Sequence, residues 1–244
     1  MKRYIVLPDI HCPAYLRPFI LAVLRFLFET SDKITGFILL GDFLDMKSIS
    51  SYDIGSPCDT TLGKEYELGN LLLDKFDEAL GKNKEKYFLF GNHEDRLRRF
   101  LSKLEASKLG SALQDIEFGL NLANRGYKVF TDYKHDYLQL GDLQLMHGSY
   151  CNIYASRKHA DVFKSSVMFG HSHKVQVFSD GSYTGYNIGH MADIEHPYCS
   201  YVDRAATMGW VNAFAIIDIV DGITSPQIIV WKKDHFICDG KAYK

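Results

Sequence analysis

The chain has 244 residues, 46% hydrophobic and 24% charged, with a formal net charge of −2. That balance is ordinary for a globular protein able to bury a substantial core. It supplies no global basic field, so nucleic acid is not implied as an obligatory partner, although a local basic patch stays compatible with it.

The opening MKRYIVLPDIH starts basic, but its apolar run is short and meets Asp9, so no secretory signal is expected there. No stretch approaches the ~20 apolar residues of a membrane span. The longest candidate, FILAVLRFLF (19–28), is interrupted by Arg25. Five scattered cysteines, 12, 58, 151, 199 and 238, include no CxxC pair. They read as reduced thiols, and a cytoplasmic setting is expected.

In chain order, RYIVLPD (3–9) is an apolar run, and AYLRPFILAVLRFLFET (14–30) carries Leu16, Phe19, Ile20, Val23, Leu24 and Leu27 at helical spacing. ITGFILLGD (34–42) is apolar again. A turn-rich stretch (51–63) precedes a helix, KEYELGNLLLDKFDEALGK (64–82), and KYFLFGN (86–92) is the third apolar run. Helical pattern continues over 95–108 and 111–126, as a small helical insertion or lid at 95–126. Strands follow at 127–133, 137–148, 165–173, 175–190, 213–222 and 225–234, with a short helix at 154–164. Hairpin turns are signalled by Gly141-Asp142, Asp180-Gly181 and Asp221-Gly222. Continuous apolar strands alternating with helices indicate an α/β fold whose sheet is covered on both faces. No linker divides 1–244, so one domain is expected.

The polar residues at the ends of these runs carry the chemistry. Asp9 and His11 end the first, Asp42 and Asp45 the second, and Asn92 and His93 the third. His147 ends LQLMHG, and His171 and His173 end SVMFGHSH. Ligands of open α/β sheets gather outside the carboxyl ends of strands, so five such ends can converge. Carboxylate, imidazole and amide oxygen without thiolate suit Mn, Fe, Zn, Co or Ni. Seven donors exceed what one ion takes, and two ions sharing a carboxylate would use them all.

The series Asp9-Ile10-His11, Gly41-Asp42-Phe43-Leu44-Asp45, Gly91-Asn92-His93-Glu94, His147-Gly148 and Gly170-His171-Ser172-His173 resembles the calcineurin-like metallophosphoesterases, in that family's order. The resemblance implies an αββα four-layer sandwich of two mixed β-sheets flanked by helices, the metallo-dependent phosphatase fold. It also implies two divalent metal ions, Mn first, with Fe, Zn, Ni or Co as alternatives. Asp9, His11 and His173 are implied to hold one metal, Asn92, His147 and His171 the other, and Asp42 to bridge them. His93 is implied to stand at the substrate phosphate as proton donor, and Asp45 to orient a ligand imidazole.

Such a site hydrolyses phosphate esters with a metal-activated water, the cations neutralising charge at phosphorus. Arg96 and Arg99 share a helix face after the turn, and Arg96 is the phosphate-binding candidate. Lys134, His135, His190 and His196 are loop residues open to substrate or solvent. Glu94 and Asp95 read as opening the next helix. The compact chain, without a recognisable docking segment, favours a phosphodiesterase for nucleic-acid or nucleotide diesters. The alternative is a phosphomonoesterase of proteins or nucleotides. A non-catalytic scaffold is the remote reading, because no ligand of the motif series is lost. The expected partner is the phosphate ester itself, with no membrane.

Overall fold

A computed structural model describes residues 1–50, 60–103, 115–199 and 202–244. The elements run β1 (Lys2–Leu7), α1 (Arg17–Thr30), β2 (Gly36–Leu40), α2 (Leu62–Leu80), β3 (Glu85–Leu89), α3 (Asp95–Lys103), α4 (Ile116–Gly119), β4 (Tyr127–Phe130), β5 (Leu138–Leu140) and β6 (Leu143–Leu145). Then follow α5 (Ala155–Phe163), β7 (Ser166–Phe169), β8 (Val175–Ser179), β9 (Thr184–Ile188), α6 (Arg204–Thr207), β10 (Ala213–Val220), β11 (Ile223–Val230), β12 (Phe236–Cys238) and β13 (Lys241–Tyr243).

One sheet has the order β11-β10-β1-β2-β3-β4, the other β5-β6-β7-β9-β8. In the first, β1, β2, β3 and β4 are parallel neighbours, while β10 adds antiparallel to β1. In the second, β6, β7 and β9 are parallel. Parallel strands need crossovers: helices lie between most parallel neighbours, whereas β7 reaches β9 through the antiparallel strand β8.

Side-chain alternation sorts the layers. Ile5, Leu7, Phe37, Leu39 and Phe88 face α1 and α2, where Phe19, Val23, Phe26, Leu73 and Phe76 meet them in one buried cluster. Their neighbours Tyr4, Val6, Ile38, Leu40, Tyr87 and Leu89 face Leu138, Leu143, Leu145, Met168 and Ile188 of the second sheet. Val167 and Phe169, on the outer face of that sheet, pack on Ala155 of α5. The result is the expected αββα sandwich. Both faces of β1 and β2 are buried, which is why their sequences are apolar throughout.

Local signals set the helix boundaries. Thr61 caps α2 by accepting from the Lys64 N–H at 3.2 Å, and Gly81 ends it at φ +73°. The reading of a helix over 111–126 is corrected: among described residues it contains only α4, and turns follow. Leu120 and Leu122 are fully buried there, so the apolar pattern marked core contact, and Gly119 and Gly126 disfavour continuation. Residues 51–59, within the expected turn-rich stretch, and 104–114, spanning the two expected helices, lie outside the described residues. The β12–β13 hairpin had no expectation. Its Phe236 and Tyr243 close the bottom of α1 against Phe26, at 6.0 and 5.3 Å between ring centroids.

Phe214 of β10 is fully buried, with ring centroids of Phe19, Phe26 and Phe236 at 6.1, 5.9 and 5.1 Å. Phe214→Ala should lower unfolding stability by about 3–5 kcal/mol, read by urea denaturation in the presence of a chelator.

Candidate functional site

Five parallel strands deliver their polar carboxyl ends to the same place. The loops after β1, β2 and β3 of one sheet meet those after β6 and β7 of the other. They are stitched by backbone bonds: His11 N–H to Asp42 O (2.9 Å), Cys12 N–H to Phe43 O (2.7 Å) and Asp45 N–H to Cys12 O (3.0 Å). Across the sheets, the His171 N–H donates to both carboxylate oxygens of Asp9, at 3.0 and 2.9 Å.

Two clusters result. Asp9, His11 and His173 bring one ligand atom each within 4.8 Å of one another, and so do Asp42, His147 and His171. Asn92 joins the second through Oδ1, 3.0 Å from His147 Nε2. Asp42 stands between them. Its Oδ1 accepts the His93 N–H at 2.8 Å, and its Oδ2 lies 3.4, 3.8 and 3.9 Å from the Nε2 atoms of His147, His93 and His11.

The donor atoms fit cations. His11 turns Nδ1 to Asp45 Oδ1 at 3.0 Å, so its proton is held there and the Nε2 lone pair is left facing His173 Nε2 at 3.1 Å. His147 likewise turns Nδ1 to the Leu40 carbonyl (3.3 Å), leaving Nε2 aimed at two acceptors, Asp42 and Asn92. Lone pairs converging in a buried place require a positive charge among them. The titration directions agree. Burial alone would lower the His147 imidazole, yet the Asp42 carboxylate holds it up at about 9. Burial would raise Asp42, but the charges of His147, His93 and His11 hold it well below the usual range. The field at Asp42 therefore favours a proton or a metal ion beside it. Burial pushes His171 down to about 4 and lowers His11, so both imidazoles keep a free lone pair at neutral pH.

Backbone conformation tells the same story. Asp9, His11, Asp42, His171 and His173 all have left-handed φ, between 44° and 62°. Such residues are uncommon outside glycine and cost on the order of 1–3 kcal/mol each, and strain of this kind collects at functional sites. The glycines beside them act through space instead. A Cβ on Gly170 would lie 1.9 Å from Asp9 Oδ2, and one on Gly91 would lie 2.1 Å from Asp42 Oδ1. Each leaves room for a carboxylate from another strand end.

The remaining residues divide as follows. Asp45 lies with His11 and His93 in a third buried group. The His93 Nδ1 hydrogen goes to the Asp45 carbonyl at 2.7 Å. Arg96 is buried, donating from Nη1 to that same carbonyl (2.7 Å) and from Nη2 to His93 Nε2 (2.9 Å). Arg99 reaches the Asn92 carbonyl at 3.0 Å. His135 pairs with Asp132 and is exposed, and His196 accepts from the Tyr198 N–H, so neither touches the clusters.

Glu94 does more than open a helix. It accepts the Gly91 N–H at 2.8 Å, as in a capping box, but also the Asp42 and Leu44 N–H groups of the β2 loop, each at 2.9 Å. Burial, then the Asp42 charge, pushes its carboxyl up to about 7 against these three donors. This role is not visible in the local sequence, because its Asp42 partner is 52 residues away.

His190 does more than a loop residue would. It is buried and stacked on His173, with ring centroids 4.8 Å apart and planes 17° apart. A signal existed: β9 ends in Gly189-His190, the same Gly-polar ending as the other strands. Trp210, edge-on to His173 at 4.1 Å, had none.

An αββα sandwich with these donors at its strand ends is the metallo-dependent phosphatase architecture. The chain belongs to the calcineurin-like phosphoesterase family, whose model matches residues 2–180. A search of curated proteins finds no match. Several solved structures are similar at low identity. A Vps29 single mutant from Entamoeba histolytica is 15% identical, covering 95% of this chain and 100% of that chain, with a TM-score of 0.46. Wild-type Vps29 from the same organism, complexed with zinc, is 16% identical over 99% and 96%, with a TM-score of 0.46. A conserved uncharacterized protein from Streptococcus pneumoniae TIGR4, described as a predicted phosphoesterase, is 14% identical over 99% and 95%, with a TM-score of 0.41.

Gly170→Ala should displace Asp9 and lower bound metal per chain without preventing folding, read by elemental analysis beside circular dichroism. Glu94→Gln sets an amide donor against backbone N–H groups. It should cost about 1–3 kcal/mol in thermal or urea unfolding and weaken metal binding by calorimetry.

Proposed function

We propose that this protein is a two-metal phosphoesterase, with phosphodiesters of nucleotides or nucleic acid as its substrates. The reading is supported chiefly by one observation: five strained, non-glycine residues from three strand ends aim Asp and His atoms into one buried space. Folding alone gives no reason to hold them so.

Asp9, His11 and His173 would hold one cation, Asn92, His147 and His171 the other, and Asp42 both. Divalent cations at such a site activate water and neutralise charge developing on a transferring phosphoryl group. The donor set, without thiolate, suits Mn, with Fe, Zn, Ni and Co also compatible. Among described residues no helix is long and apolar enough to cross a membrane, and four cysteines are free. A reducing cytoplasm is the setting proposed.

The chain's own part is positioning and proton transfer. Asp45 holds His11 through Nδ1, which keeps its Nε2 toward the cluster. The Asp45 carbonyl fixes His93 Nδ1, so the proton to be moved sits on Nε2. Burial lowers the His93 imidazole, but the Asp42 charge and the Asp45 bond outweigh it and raise the group, which favours a proton donor. A protonated Nε2 no longer accepts from Arg96. The guanidinium is then released toward the phosphate, which couples His93 protonation to substrate binding. The leaving alkoxide takes the Nε2 proton.

Asp42→Asn should strip both metals and abolish turnover; normal metal content with normal rate would exclude the bridging role. His93→Ala should keep metal and lose about 10²–10⁴ in turnover on an ester with a poor leaving group. Activity should vanish with EDTA and return with Mn²⁺. A nitrophenyl diester should be preferred over the matching monoester, and the opposite preference would make the protein a phosphomonoesterase.

A further inference from the structure

Trp210 stands beside the metal-ligand cluster in a loop that the site itself holds. The Val211 N–H donates to the His173 carbonyl at 2.8 Å, and the His190 N–H donates to the Val211 carbonyl at 3.1 Å. The indole is edge-on to the His173 imidazole, 4.1 Å between centroids at 71°, and 5.4 Å from the His190 ring. It is only half-buried, and Met208 before it is 79% exposed. A large aromatic surface is therefore held at the rim of the centre by bonds to two of its residues, yet part of it faces solvent. Covering that surface with a planar apolar group is favourable.

Two neighbours narrow the ligand. Lys174, next to His173, runs along the same loop: a Cβ on Gly209 would come 3.9 Å from its Cε. On the other cluster the half-buried Tyr133 ring stands 6.3 Å from His147, at 73°. Each cluster thus has an aromatic ring against one of its histidines, and the Trp210 loop carries an ammonium group alongside. Aromatic platforms combined with a cation are how proteins hold bases strung on phosphates. Sequence shows none of this, because Trp210 and Tyr133 lie 77 residues apart.

We infer that Trp210 is a stacking platform for a nucleobase carried on one ester group of the scissile phosphate, making nucleoside phosphodiesters the substrate class. The inference rests on the phosphoesterase reading. His190 packs edge-on to the indole at 5.4 Å, and its Nδ1 accepts the Ala192 N–H at 3.1 Å, which fixes the ring it stacks on His173.

The test compares two substrates with one leaving group, the p-nitrophenyl ester of thymidine 5′-phosphate and ethyl p-nitrophenyl phosphate. The wild-type protein should prefer the nucleoside ester by about tenfold or more in kcat/KM, mostly through KM. Trp210→Ala should bring the ratio near one while two metals per chain remain bound, and Trp210→Phe should keep most of the preference. Absence of preference in the wild type, or its survival in Trp210→Ala, overturns the inference. So does loss of metal together with equal loss on both esters, because Trp210 then only orients His173. Calorimetric titration of the Mn²⁺-loaded protein with thymidine 5′-phosphate and with ethyl phosphate needs no turnover. If neither ester is cleaved, the phosphoesterase reading falls. Tighter binding of the nucleotide, dependent on Trp210, would still sustain the platform, and equal binding would remove it.

Discussion

The Asp42 carboxylate is the constraint on which the mouth of the two sheets depends. It is buried, with three imidazole nitrogens within 4 Å of one oxygen and a backbone N–H on the other. A buried carboxylate is costly without compensation, and here compensation comes from both sheets. His11 arrives from β1, His93 from β3 and His147 from β6 of the second sheet. The sandwich brings them together because both sheets end their parallel strands at the same edge. Changing the register of either sheet by one residue would turn the delivered side chain away.

Holding Asp42 needs more than its imidazole neighbours, because its own φ is left-handed. The Glu94 carboxylate fixes the Asp42 and Leu44 amides while tying them to Gly91 of the β3 loop. Glu65 of α2 does the same one turn later, accepting the Lys47 N–H at 2.7 Å and bonding the Ser48 hydroxyl. Two buried acids, neither among the expected ligands, thus brace the loop that carries Asp42 and Asp45. The strain of the left-handed residues is set against this bracing and against the packing of α1 and α2 beneath.

Much of this was legible in the sequence, and the reason is physical. Strands buried on both faces are apolar throughout, so each polar residue at their ends stands out. The covered α/β sheet and the polar strand ends follow from that contrast, while the four layers and the ligand set came from the family resemblance. Glu94 and Glu65 were not legible as braces, since a carboxylate bonded to distant amides looks like any acid at a helix start. The 111–126 segment misled because Leu120 and Leu122 are buried from turns as effectively as from a helix. His190 was within reach, because Gly189-His190 repeats the strand-end pattern, but it matches no member of the motif series.

That last residue marks a division of labour between strand ends. Five of them supply the Asp, Asn and His atoms of the two donor clusters. The sixth, after β9, supplies no atom to the three groups of convergent donors; its histidine stacks on His173 and anchors the Trp210 loop instead. The family match ends at residue 180, before β9, β10 and this loop begin. The donor clusters and the Trp210 loop are therefore carried by different parts of the chain. β10 joins them, since its pairing with β1 holds the end of the Trp210 loop against the sheet that presents Asp9 and His11. The Trp210 indole is thereby fixed to the same strand pair as Asp9 and His11.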